Sequence, residues 1–86
     1  MPTISRFFGV TIRMYYDDHG TPHFHAYYGN DAAKIEINTL KIVEGKLPRR
    51  AIGFILEWAL EHRQELLANW ELCETHLPLN PIAPLE

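Results

Sequence analysis

The sequence predicts an α+β domain: an antiparallel meander of three or four strands, packed by one long C-terminal helix and followed by an extended proline-rich tail. Three observations predict it. The first half of the chain consists of short runs rich in β-branched and aromatic residues, separated by turn formers. Near residue 48 the hydrophobic period changes from that of a strand to that of a helix. Pro78, Pro81 and Pro84 then exclude further helix from LPLNPIAPLE. One domain results, with the meander over 1–47, the helix over 48–76 and the tail over 77–86.

Residues 4–16, ISRFFGVTIRMYY, read as the first strand. Val10, Ile12, Met14 and Tyr16 alternate with Thr11, Arg13 and Tyr15, the period of a half-buried strand. Gly9 inside the run predicts a bulge or a close backbone approach. DDHGTP is dense in turn formers and closes the strand. Residues 23–28, HFHAYY, form the second strand, and GND turns the chain. Residues 32–38, AAKIEIN, form the third, with Ala33, Ile35 and Ile37 on one face and Lys34 and Glu36 on the other. Leu40–Val43 is a short fourth strand, ended by EGKLP. Turns of this length favour antiparallel neighbours.

Pro48 suits a first helical turn, where its missing N–H is not needed. From Arg49 to about Thr75 there is no proline and one glycine, Gly53. Ile52, Ile55, Leu56, Ala59, Leu66, Leu67, Trp70 and Cys73 share one arc at 100° per residue, opposite Glu57, Glu61, Gln64, Ala68 and Glu71. The phase persists, which favours one helix over two; a break near His62–Arg63 is the alternative. Arg63 falls inside the apolar arc, where an unpaired charge is costly. It needs a partner, a snorkelled stem, a break in the helix or an anion. Phe54, Trp58 and Leu72 lie off the arc. They form either a partner-binding surface, for a second protein or a homodimer, or a flank covered by the tail or the sheet edge. Leu79, Ile82 and Leu85 are the tail's candidate anchors.

Bulk properties restrict the function classes. The chain has 86 residues, 47% of them hydrophobic, which allows a thin core. Its net charge of −3 argues against bulk attraction to nucleic acid, but the charge is split. Residues 1–50 carry +2 and residues 51–86 carry −5. The first half can therefore meet an anion that the second half repels. Cys73 is the single cysteine, so no internal disulfide forms. MPTISRFFGV lacks the pattern of a signal peptide, and no apolar run reaches membrane-span length. A soluble cytoplasmic protein is expected.

The chemistry-bearing stretch is DDHGTPHFHAYYG. His23 and His25, at i and i+2 on a strand, project from one face. Three readings are open. In the first, they bind zinc with a third ligand from His19 or an aspartate of the turn, Asp17 or Asp18. In the second, they act without metal as base and acid on RNA. Arg13, or Arg49 and Arg50 at the helix start, would then hold phosphate, and Tyr15, Tyr27 and Tyr28 would stack on bases. In the third, the histidines and aspartates only build a turn. No phosphate loop, nucleophile elbow or HExxH helix is present.

The stretch MPTISRFFGVTIRMYYDDHGTPHFHAYYG, the helix LPRRAIGFILEWALEHRQELLANWEL and the tail PLNPIAPLE together resemble the bacterial domain-of-unknown-function family numbered 4160. The resemblance covers essentially the whole chain. Gly20-Thr21-Pro22 stands where the family pattern has a doubled proline. What the resemblance implies is a toxin-like component of a toxin–antitoxin module, with a small protein partner encoded nearby. RNA cleavage is the common activity of such toxins. It places the expected catalytic role on His23 and His25, then His19, Asp18, Arg13 and Arg49.

Overall fold

The computed structural model describes residues 2–86. Five strands, β1 (Thr3–Phe7), β2 (Val10–Arg13), β3 (His23–Tyr28), β4 (Asp31–Glu36) and β5 (Ile42–Lys46), precede one helix, α1 (Arg49–Glu74). The strands pair in chain order as a fully antiparallel meander. The α+β architecture matches the sequence expectation, with one strand more.

The additional strand arises in the first segment. Residues 4–16 do not form one bulged strand; the chain reverses at Phe8–Gly9, and Phe7 pairs with Val10. Both turn residues have positive φ, Phe8 at 48° and Gly9 at 84°. That is the requirement of the two-residue hairpin turn whose twist matches the strands. Phenylalanine seldom adopts this region, so the sequence carries no ordinary turn signal there.

The last strand is also displaced, to Ile42–Lys46 rather than Leu40–Val43. Leu40 turns the chain, with φ 58° and its N–H donating to the Glu36 carbonyl at 2.8 Å. Gly45 does not end the strand. It sits at φ 80° where a Cβ would lie 2.2 Å from the Ala32 carbonyl oxygen. The β4–β5 register shifts further along, between Lys34 and Ile35.

Alternation divides the sheet into two faces. Val10, Ile12, Phe24, Ala26, Ala33 and Ile35 are buried. Phe7 and Phe24 pack on the Trp58 indole of α1, with ring centroids 5.2 and 6.0 Å away. Directly opposed residues share a face. The second face therefore carries the row Thr3, Arg13, His25, Lys34 and Glu44, and beside it the row Arg6, Thr11, Tyr27, Ala32 and Lys46.

The helix is one element bent at His62, whose φ of −117° and ψ of 20° are not helical. Both sequence alternatives thus hold in part. Arg63 follows the bend and donates from Nε to the Ile37 carbonyl at 3.2 Å. It therefore finds a partner in a backbone carbonyl just beyond β4.

The tail closes the core. Ile82 and Leu85 are buried and Leu79 is half-buried. Ile82 N–H donates to the Ile4 carbonyl at 3.0 Å, which ties the tail to β1. Trp58 Nε1 donates to the Ala83 carbonyl at 2.8 Å. The buried Asn69 side chain donates to the Asn80 carbonyl (2.8 Å) and accepts from the Asn80 N–H (2.9 Å). This corrects the assignment of Trp58 to a partner-binding surface. The residue is 0% exposed, because sheet and tail enclose it from two sides. Phe54 and Leu72 are half-buried.

Candidate functional site

The connection from β2 to β3 is the longest between strands and contains the DDHG turn. It returns Asp18 to the start of β3. There Asp18 Oδ2 lies 3.0 Å from His23 Nε2 and 3.0 Å from His25 Nε2. The strand period explains why both rings arrive together: residues two apart on β3 point the same way, and their ring centroids are 5.2 Å apart. The aspartate of the turn, and not His19, completes the trio; His19 is exposed.

The two histidines have different surroundings. His23 is 2% exposed, against the Trp70 indole at 4.9 Å, and its Nδ1 is 2.9 Å from the Thr21 carbonyl oxygen. A carbonyl oxygen only accepts, so Nδ1 carries the hydrogen. His25 is 24% exposed and Asp18 26%. An incoming molecule can therefore reach His25 and Asp18, whereas His23 acts from behind them.

Tyr15 meets His25 edge-on at 4.7 Å between centroids, and its hydroxyl bonds that of Tyr27. Arg13 lies over the Tyr27 ring at 5.4 Å. Its Nε is buried and has no hydrogen-bond partner among the described residues. Burial, with the Tyr15 hydrogen bond next, pushes the Tyr27 phenol up to about 12. Arg13 and Lys34 flank His25 on the two neighbouring strands; Lys34 also reaches Glu44 at 3.4 Å. Pro2, Tyr15, Tyr16, Asp17 and Asp18 line a cleft of ≈ 410 Å³ beside the cluster.

Other residues named from the sequence stand elsewhere. Tyr28 pairs with Val10 and presses on Gly9, on the opposite face from Tyr27. Arg50 lies over Phe54, and Phe54 touches Phe8 at the β1–β2 turn. The helix rises about 1.5 Å per residue, so Arg49 and Arg50 stand roughly 30 Å from the Trp70 end. The helix-start arginines and the histidines do not share a site. Lys34 was missed as a neighbour of His25. Once β3 and β4 are recognised as a two-residue hairpin around Gly29-Asn30, counting back from the turn places it there.

A family model described as "Domain of unknown function (DUF4160)" matches residues 9–71. The chain belongs to this family. The DUF4160 match runs from the β1–β2 turn through most of α1, so it contains Arg13, Asp18, His23, His25 and Asn69. All of β1 and the tail lie outside it. No curated protein and no solved structure matches the chain. Among the described residues, no helix is long and apolar enough to cross a membrane.

Proposed function

We propose that this chain is a toxin-like component that cleaves RNA on the open face of its sheet, with the Asp18–His23–His25 cluster as reactive centre. The observation that carries this reading is the row Arg13, His25, Lys34: a half-exposed imidazole, tied to a carboxylate, between two cations. Phosphate is the anion such a row suits. Tyr15 and Tyr27 supply ring surface beside it for a base. Arg49 and Arg50 have no part in this site. His23 positions Asp18 and does not touch substrate.

The test is induction of the chain in a bacterial host, beside His25→Ala and Arg13→Gln at matched soluble levels, followed by RNA profiling. The reading expects arrest and RNA loss with the wild type and neither with the variants. Absence of arrest, together with absence of cleavage by the purified chain, overturns it.

A non-enzymatic binding role is favoured by a different observation. Phe8 is 55% exposed, is held at positive φ and packs tilted against Phe54 at 5.0 Å between ring centroids. An exposed aromatic backed by a half-buried one suits a protein partner or a second copy of the chain. A neutralising partner would then meet Phe8 and Phe54 rather than Trp58.

A further inference from the structure

We infer that Asp18, His23 and His25 hold one divalent transition-metal ion, zinc by the chemistry of the donors. The decisive feature is the hydrogen balance of His23. Its Nδ1–H is committed to the Thr21 carbonyl at 2.9 Å. A neutral His23 then presents a bare lone pair from Nε2, and that lone pair faces Asp18 Oδ2 at 3.0 Å. Two lone pairs at hydrogen-bond distance repel unless something positive stands between them. Either a proton stands between them, on the imidazole or on the carboxyl, or a metal ion occupies the position.

Geometry favours the ion. One donor atom from each of the three residues lies within 4.8 Å of the other two. A tetrahedral zinc with bonds of about 2.0–2.2 Å separates its donors by roughly 3.3–3.5 Å. The 3.0 Å separations need to open by only a few tenths of an ångström. The outer contact is also of the usual kind. A ligating histidine typically gives its other N–H to a backbone carbonyl, which fixes both tautomer and ring orientation. Thr21 does this for His23, and the Trp70 indole packs on the same ring.

The donor set selects the metal class. Two imidazoles and one carboxylate suit zinc or a neighbouring transition ion, whereas calcium and magnesium seek oxygen alone. Three protein ligands leave a coordination position; Asp18 and His25 are both partly exposed, and Asp18 lines the cleft with Tyr15, Tyr16 and Asp17. Centres with an open position are the reactive kind; closed four-ligand centres are structural. Binding of the ion does not depend on the RNA reading; only its use on a phosphate does.

The test uses the full chain without a purification tag, stripped with chelator and titrated with zinc(II) alone. Calorimetry should give one ion per chain. At free zinc a hundredfold above Kd the melting temperature should rise by roughly 10 °C or more. Asp18→Asn and His25→Ala should each weaken binding by more than the roughly 10–100-fold that loss of an outer partner costs. His19→Ala should bind as the wild type does. His25 is half-exposed, so its variant keeps the test valid if Asp18→Asn fails to fold. Absence of binding by a folded wild type, or equal binding by His25→Ala, overturns the inference. RNA cleavage is then measured on the stripped and zinc-loaded chains. Zinc binding without cleavage refutes the RNA reading alone; cleavage by a chain that binds no zinc refutes the metal alone.

Discussion

Asn69→Ala should unfasten the tail. Asn69 is 1% exposed, and its amide makes both available bonds to the Asn80 backbone, at 2.8 and 2.9 Å. Truncation removes both and leaves the backbone N–H and C=O of Asn80 to find water. A buried polar group left without its partner costs about 1–3 kcal/mol. Asn80 is itself exposed, so each of its groups recovers part of that cost, and the sum is about 2–3 kcal/mol. A domain of this size is stable by roughly 4–13 kcal/mol, so the loss is a large share. It corresponds to a fall in melting temperature of roughly 10–20 °C. Urea unfolding followed by tryptophan fluorescence measures it directly, because Trp58 reports the tail through its bond to Ala83. A second arm removes residues 78–86. If Asn69 acts through the tail, the substitution should cost little more in the shortened chain, and the two changes should be strongly non-additive. A loss below about 0.5 kcal/mol in the full chain, or simple additivity, would refute the clamp.

Gly45→Ala should destabilise by about 1–3 kcal/mol, since φ is 80° and the new Cβ meets the Ala32 carbonyl oxygen; hydrogen exchange should show the loss concentrated in β4 and β5. Cys73 should react slowly with a disulfide reagent in the native chain and quickly in urea, because burial, reinforced by Asp18 and Glu74, raises its thiol and suppresses the thiolate. Tyr27 ionises in the unfolded chain near 10.0 and in the folded chain at about 12. Its contribution to stability is therefore complete below pH 10, declines as pH rises from there to about 12, and disappears beyond that range. Stability measured against pH should fall across that window in the wild type, and less steeply in Tyr27→Phe.

The readable parts of the sequence were those where local pattern and tertiary need agree. HFHAYY became β3 with both ends as expected, because alternation and flanking turns point the same way. The expected helix over 48–76 and the observed Arg49–Glu74 differ only at the frayed ends. Legibility failed where a residue adopts an unusual backbone for a tertiary reason. Phe8 at positive φ hid a hairpin, and Gly45 looked like a strand end because a close backbone approach and a terminator carry the same residue. Trp58 was misread because periodicity ranks only contacts made to one side of a helix. The sheet covers one side of the indole, while the tail, 25 residues further on, accepts its N–H. At the candidate site, the histidine pair was legible from spacing alone. The choice of Asp18 over His19 was not, because a loop's return path depends on packing that no local pattern encodes.

The charge split takes on a spatial meaning in the fold. Four of the seven cations of residues 1–50, Arg6, Arg13, Lys34 and Lys46, occupy the two rows of the open sheet face. Glu57, Glu61, Glu65 and Glu71 line the exposed side of α1. A polyanion that approaches the molecule is therefore turned toward the sheet and away from the helix. Of the two cations beside His25, Lys34 already shares its charge with Glu44 at 3.4 Å, while the Arg13 guanidinium rests on the Tyr27 ring. Arg13 is thus the stronger anchor for an anion next to the cluster. Its loss should weaken RNA binding more than loss of Lys34, although the two stand equally close to His25 in register. A metal ion at the cluster would add positive charge on the same face, so zinc and RNA should each strengthen binding of the other. With imidazoles alone at the cluster, no such coupling arises, and RNA affinity should be indifferent to zinc.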